Sequence, residues 1–371
     1  MKTKKSHHFD YSLAIVAAAL IILGILVLAS VSAFFSQEKF DKTTYYLFHQ
    51  ITRGLVVGII LGFIAFKIHL SFFKKWAWVF ILINLVFMAL VFIPGLGIIA
   101  GGAPRWLNLR FASFQPSEFL KLTFILYLSV WLASRTGKRS LKKNWKSILI
   151  PFFIILAVIA ILLIKQSDVS TLGVIIFVAL LMYFSANTPF WHTILMFAIT
   201  GGGMLALIRF APYRMMRVRV LLGWIKDPMG IGYQIKQTLI TIGSGGILGL
   251  GLGMSSQKFG FIPQTMSDSI FAIFAEETGF IGSLILIFLF LAFLWRGFRI
   301  SKISQDRFSQ LFAIGISSWI CVQAFINIGA MIGILPLTGI PLPFISYGGS
   351  HMVAELIGVG ILLNISKTRR K

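Results

Sequence analysis

Apolar runs separated by short polar connectors recur along the chain, at about 12–35, 51–66, 77–97, 119–133, 148–164, 171–185, 192–208, 269–294, 310–334 and 351–366. Most approach the roughly 20 residues that cross a bilayer as a helix. The pattern predicts an all-α integral membrane protein of about ten transmembrane helices, with residues 1–371 forming a single polytopic membrane domain. The first run follows Lys2, Lys4 and Lys5, yet it is too long for the apolar region of a signal peptide and is expected to be retained. The longest stretch outside a run is 209–268, read as a large extracytoplasmic loop between the seventh and eighth spans. Within it, Leu239 to Met254 is apolar and rich in glycine, too short for an ordinary span. It is expected to form a re-entrant or interfacial element lining a cavity, because unpaired backbone cannot face lipid.

Composition sharpens this picture. Of 371 residues, 57% are hydrophobic and only 12% charged, which excludes a disordered chain, a nucleic-acid-binding domain and an ordinary soluble enzyme. The net charge of +23 would suggest nucleic acid if it were spread over a surface, but the basic residues cluster in the connectors. With both termini cytoplasmic, most of them fall on the inner side, as loops facing anionic headgroups require. The exception is 209–268, which carries Arg209, Arg214, Arg217, Arg219, Lys226, Lys236 and Lys258. Cys321 is the only cysteine, so no intrachain disulfide and no cysteine metal site is expected.

The acidic residues are few enough to weigh singly. Asp10 and Asp306 fall in inner connectors, Glu38 and Asp41 in an outer one, where water is expected to solvate them. Asp268 stands at the mouth of the eighth span, affordable there as a charged carboxylate and reachable by a substrate, as a general base must be. Glu276 and Glu277 follow about 12 to 14 Å deeper at 1.5 Å per residue. They must face the bundle interior or a wet cavity, either pairing with a cation to hold helices together or serving a ligand. Pro116 and Glu118 read as a helix start, with Lys121 one turn on as a partner for the carboxylate. Asp168, in a polar break, suits a helix cap. Residues 335–350, with three prolines and three glycines in the latter part, predict a rigid outer loop without charge. The glycines of 243–253 lack the Lys and Ser/Thr of a phosphate loop, and no histidine pair has metal-ligand spacing. Any metal would be a hard cation held by carboxylates and phosphate oxygens.

Several segments together resemble one family, the shape, elongation, division and sporulation (SEDS) membrane glycosyltransferases of the FtsW and RodA type. The resemblance rests on Ala103-Pro-Arg-Trp106, Phe114-Gln-Pro-Ser-Glu118, Gln166-Ser-Asp168, Tyr213-Arg-Met-Met-Arg217, Gly232-Tyr-Gln through Gly253, Ile262-Pro263 through Gly279, and Pro341-Leu-Pro-Phe-Ile-Ser-Tyr-Gly-Gly349. It implies polymerisation of lipid II, the undecaprenyl-pyrophosphate-linked disaccharide peptide, at the outer face of the bacterial cytoplasmic membrane. Asp268 then falls on the family's essential acidic position. Arg214, Arg217 and Lys258 become candidates to meet the diphosphate charge, with a divalent cation, Mg or Mn. Arg105, Gln234, Asp168, Glu276, Glu277 and Ser346 lie in or beside the shared motifs and are candidate substrate-binding residues. The resemblance further implies a class B penicillin-binding protein as transpeptidase partner, and membrane lipid rather than nucleic acid as surroundings. Departures from the family pattern are Ile-Pro-Gln264, Ser-Asp-Ser269, Gln-Ser-Asp168 and Pro-Arg-Trp106, while Ser255-Ser-Gln-Lys-Phe259 is closer to the division branch. A lipid II flippase and a scaffold for the transpeptidase are the competing readings, the first because Glu276 and Glu277 could line a passage.

Overall fold

A computed structural model describes residues 8–100, 102–108, 113–135, 146–186, 188, 190–225 and 230–367. The basic residues expected at 2–5, at 136–145 and beyond 367, and Lys226 with Asp227, lie outside the described residues. Each of the ten apolar runs falls on a helix. Helix α1 (Tyr11–Phe40) is followed by α2 (Tyr45–His49), which passes through a π-helical stretch (Gln50–Val56) into α3 (Val57–Lys67), and then by α4 (Leu70–Leu90). Next come α5 (Pro116–Arg135), α6 (Lys146–Lys165), α7 (Val169–Ser185) and α8 (Phe190–Arg209). Two shorter helices, α9 (Pro212–Leu221) and α10 (Ile231–Ser244), precede α11 (Ile270–Ile303), α12 (Arg307–Met331) and α13 (Gly349–Lys367). Among the described residues seven helices are long and apolar enough to cross a membrane. The broken pair at Ile194–Arg209 and Pro212–Leu221, bent by 96°, makes an eighth if counted as one span. Two more apolar helices, Leu149–Lys165 and Val169–Ser185, are shorter.

The run 77–97 is not helical throughout. Pro94 and Gly95, the latter at φ 87°, stop the helix, and the chain turns into a three-stranded antiparallel sheet of β1 (Gly97–Ala100), β2 (Ala103–Asn108) and β3 (Ser113–Phe114). An apolar run cannot by itself separate a helix end from the strand that follows it.

Asp10 also departs from expectation: it is buried, not solvated. Its carboxylate caps α1 at Leu13 N and pairs with Arg296 on α11 at 2.5 Å, while its backbone N–H donates to Ser366 Oγ on α13 at 2.9 Å. Helix α1 therefore begins where α11 and α13 end, and both termini emerge on one face. At the other end of the pair, Ser30 of α1 meets Glu277 of α11 at 2.6 Å, so these helices run antiparallel and the start of α11 lies on the face opposite the termini.

Residues 335–348 form no solvated outer loop. Leu342, Phe344 and Ser346 are fully buried, and a Cβ on Gly24, in the middle of α1, would lie 2.1 Å from the Phe344 carbonyl oxygen. The segment dips into the bundle, a geometry that requires partners for its backbone. Side chains supply them: Asn327 to Ile340 O at 2.8 Å, Gln323 to Pro341 O at 3.0 Å, Ser346 Oγ for Leu342 N, Glu355 for Phe344 N at 2.8 Å, and Gln50 for Gly348 N at 2.9 Å. The sequence predicts a rigid outer loop here, and the absence of charge in it reflects burial.

Candidate functional site

Asp268 closes the turn that leads into α11. Ser267 Oγ donates to its Oδ1 at 2.8 Å, and its carbonyl accepts from Asn327 Nδ2 at 2.8 Å. A Cβ placed on Gly339 would lie 3.8 Å from Asp268 Oδ2, so the re-entrant segment passes alongside the carboxylate. The side chain is half-buried, partly enclosed by protein, in the turn that enters α11 at the face opposite the termini. That enclosure raises its pKa above the ordinary carboxylate value. The Ser267 hydrogen bond and the nearby Arg217 charge oppose the rise. A carboxylate tuned upward and open on one side is chemically suited to accept a proton.

The positive charge beside it comes from α9. Proline at the first position starts this helix after the sharp break from α8, and one turn later its axis carries Arg217. The guanidinium donates to the Leu337 carbonyl and the Tyr213 hydroxyl, and its centre lies 4.5 Å from the Tyr213 ring centroid. Ring and carbonyl fix its direction while leaving its charge uncompensated by any carboxylate in direct contact among the described residues. Gln234 of α10 reaches the start of α11, donating to Ser269 Oγ at 3.2 Å. Ser346 donates to Ser267 O at 2.5 Å, and Tyr347 N to Met266 O at 2.8 Å, so the turn carrying Asp268 is stitched to the re-entrant segment on two sides.

Arg105 and Asp168 reach this assembly indirectly. Arg105 on β2 donates to the carbonyls of Gln166 and Ser167 at 3.0 and 2.9 Å, holding the turn whose Ser167 has φ 53°. Asp168 caps α7 by accepting from Thr171 N at 3.2 Å, as its place in a polar break predicts. Two residues on, Ser170 donates to Thr338 O at 2.6 Å, next to Gly339. These two candidates thus act on the backbone that flanks Asp268, with no contact to the carboxylate itself.

Others are spent elsewhere. Arg214 donates to Leu207 O at 3.1 Å, bracing the bend between α8 and α9. Lys258 is buried and lies 3.8 Å from Glu277, with further bonds to Gly253 O at 2.5 Å and Ser30 Oγ at 3.4 Å. Glu276 accepts from Ser244 at 3.2 Å and from Ser255. Both glutamates face protein, as charge at that depth requires.

Sequence reasoning missed Asn327, an amide within an apolar helix, whose Nδ2 donates both to Asp268 O and to Ile340 O of the re-entrant segment. It also missed Gln323. The Glu118–Lys121 pair forms as expected, at 2.8 Å and buried, and Lys121 continues to Gln323 Oε1 at 2.7 Å, which also accepts from Trp319 at 2.9 Å. The signal for both amides was the polarity of their side chains within an otherwise apolar span. Among the described residues no three His, Cys, Asp or Glu side chains come together in a way that could hold a metal ion. Asp268 is the carboxylate that the described residues place in the site.

The model of the cell cycle protein family of FtsW, RodA and SpoVE matches residues 10–371. Stage V sporulation protein E of Bacillus subtilis (strain 168) is 36% identical over the whole of both chains. The probable peptidoglycan glycosyltransferase FtsW of Geobacter metallireducens is 34% identical over all of this chain and 98% of its own. Among solved structures, one chain of a peptidoglycan synthase complex, determined for the structural coordination of polymerization and crosslinking, superposes with a TM-score of 0.77 at 26% identity, covering 96% of this chain and 97% of that one. The rod shape determining protein RodA of Thermus thermophilus gives 0.71 at 25% identity, with 98% of each chain covered. With a family model matching residues 10–371 and these full-length likenesses in agreement, the chain belongs to the FtsW, RodA and SpoVE family of cell cycle proteins.

Proposed function

We propose that this chain is a peptidoglycan glycosyltransferase that polymerises lipid II into glycan strands at the outer face of the cytoplasmic membrane, with Asp268 as general base. The observation that carries the reading is the half-buried Asp268 carboxylate, raised by enclosure and set beside the directed guanidinium of Arg217. In the reaction an acceptor sugar hydroxyl attacks the anomeric carbon of the donor. The new C–O bond forms as the bond to the diphosphate oxygen breaks; its electron pair leaves with the lipid diphosphate, and the hydroxyl proton passes to Asp268. Arg217 is placed to meet the charge that develops on the leaving group. Among the described residues a divalent cation would find one carboxylate here, Asp268, with diphosphate oxygens and water to complete its shell, and the charge neutralisation it would supply is the same that Arg217 offers.

Orientation follows the basic residues. Lys67, Lys74, Lys75, Arg296, Arg299, Lys302 and Lys367 gather towards the face of the termini, which the inside-positive bias assigns to the cytoplasm. Asp268 then faces outward. A class B penicillin-binding protein is the expected partner for crosslinking, a reading supported by the likeness to a chain of a peptidoglycan synthase complex that coordinates polymerization and crosslinking. The flippase alternative relied on Glu276 and Glu277 lining a passage, and both are bonded to serines and Lys258 instead.

The test is polymerisation of fluorescent lipid II by the purified protein, with its transpeptidase partner and a divalent cation. Asp268→Asn should lower the rate of glycan-ladder formation by at least roughly 100-fold, the lower end of what a general base contributes. Ladders of wild-type intensity from this variant would remove Asp268 from the mechanism.

A further inference from the structure

The glycine-rich stretch after α10 is fastened to α11 in an unusual way. Helix α10 runs beside the first turns of α11, Gln234 meeting Ser269 and Ser244 meeting Glu276. The chain then reverses and returns along the same helix. Leu250 N donates to Glu276 O and Gly251 N to Glu277 O, both at 3.0 Å, while Phe280 N and Ile281 N donate to Gly246 O and Ile247 O at 2.9 and 3.2 Å. These bonds are open because α11 is broken at Gly279, with φ 68° and ψ −165°. A Cβ at Gly279 would lie 2.3 Å from Gly249 N, so two backbones touch where only glycine fits. Side chains close the return segment onto the helix. Ser255 bonds Glu276, and Lys258 pairs with Glu277, which Ser30 of α1 also holds. Glu276, Glu277 and Lys258 are all buried.

We propose that Lys258, Glu277 and Glu276 are positioning residues. The Lys258–Glu277 pair latches the returning segment to the outer half of α11, fixing the half-helix whose first turn presents Asp268. The break at Gly279 would otherwise free that half-helix to tilt, since no continuous helical ladder joins it to the rest of α11. Lys258 therefore serves the carboxylate of Glu277 and not the diphosphate of the substrate. This inference rests on the reading of Asp268 as the base.

A buried ion pair gives a signature that a substrate-binding lysine does not. Removing one partner leaves the other charge buried and unpaired, whereas removing both is far milder. Lys258→Met and Glu277→Gln should each lower kcat about tenfold or more with KM for lipid II within about twofold, and the double variant should return to within about threefold of wild-type kcat. Hydrogen exchange of peptides spanning 245–254 and 278–282, read without substrate, should quicken in each single variant and slow again in the double. Losses that multiply in the double variant, a raised KM for Lys258→Met that the second substitution does not correct, or unchanged exchange in all three would overturn the latch. Asp268→Asn in the same assays separates the two claims. If it stays active the reading of the base fails, while the exchange pattern still decides the latch on its own.

Discussion

Enclosure by protein and the charge of Arg217 act on Asp268 with opposite signs, the Ser267 hydrogen bond siding with Arg217. Enclosure is the larger and raises the pKa; Arg217 lowers it. A base works only when deprotonated, so activity should fall as pH drops through the shifted value. The acid limb of the pH profile for kcat/KM should therefore lie above the ordinary carboxylate range near 3.8. Arg217→Gln takes away one of the influences that oppose the rise, the Ser267 hydrogen bond remaining, so its acid limb should move to somewhat higher pH, in addition to any loss in kcat. A limb that stays put, or moves down, would show that Arg217 does not face the carboxylate. At this scale the sequence made Asp268 conspicuous because carboxylates are rare and this one stands at a span boundary. Arg217 was one basic residue among several in its stretch, since nothing in spacing tells a guanidinium aimed at a carbonyl from one braced on a bend. Asn327 stood out only as a polar residue in an apolar helix, and an amide there looks the same whether it bridges two segments or none.

Elements were read well where one rule governed them and poorly where two competed. Long apolar runs gave helices because lipid forces backbone pairing within the segment. The tail of the third run gave a strand, since the same apolar residues satisfy either pairing once Pro94 and Gly95 have stopped the helix. Residues 335–348 combined turn residues, which suggest a surface loop, with aliphatic and aromatic ones, which suggest burial. Burial prevailed because polar side chains of α12 and α13 were available to bond the segment's backbone. Its depth depends on Gly24, whose missing side chain lets α1 touch the Phe344 carbonyl. Gly24→Ala should push the segment away, costing about 1–3 kcal/mol by overpacking, seen as a lower melting midpoint in detergent and weaker polymerisation. Gly201→Ala in α8, where an added Cβ meets nothing within 4 Å, should be neutral or slightly stabilising through helix propensity. Equal effects at both positions would mean that the close approach at Gly24 is not what seats the segment.

Across the whole molecule, the antiparallel pairing of α1 with α11 ties the face of the termini to the face of Asp268. Asp10 and Arg296 pair at one end, Ser30 and Glu277 at the other. The terminal face is knitted further by Asn364 to Ile68 O at 2.6 Å and Lys367 to Phe66 O at 3.2 Å, so α3 and α13 also end together there. One orientation in the membrane thereby fixes every connector at once, and the distribution of basic residues is the ground for the orientation proposed above, with the termini inward. Polymer made from a lipid-linked sugar must be assembled on the side where the wall lies, so a base on the wrong face would leave the chemistry without a destination. Cys321, the only cysteine, is buried, which leaves the native chain suitable as a background for single-cysteine probes. Tyr11 and Phe261 are 55% and 54% exposed and lie on opposite faces, the first beside Asp10 and the second in the stretch leading to Asp268. In intact cells a membrane-impermeant maleimide should label Phe261→Cys and spare Tyr11→Cys, with both labelled after the membrane is opened. Labelling of Tyr11→Cys alone in intact cells would invert the topology and place Asp268 on the cytoplasmic side, where the proposed polymerisation could not occur.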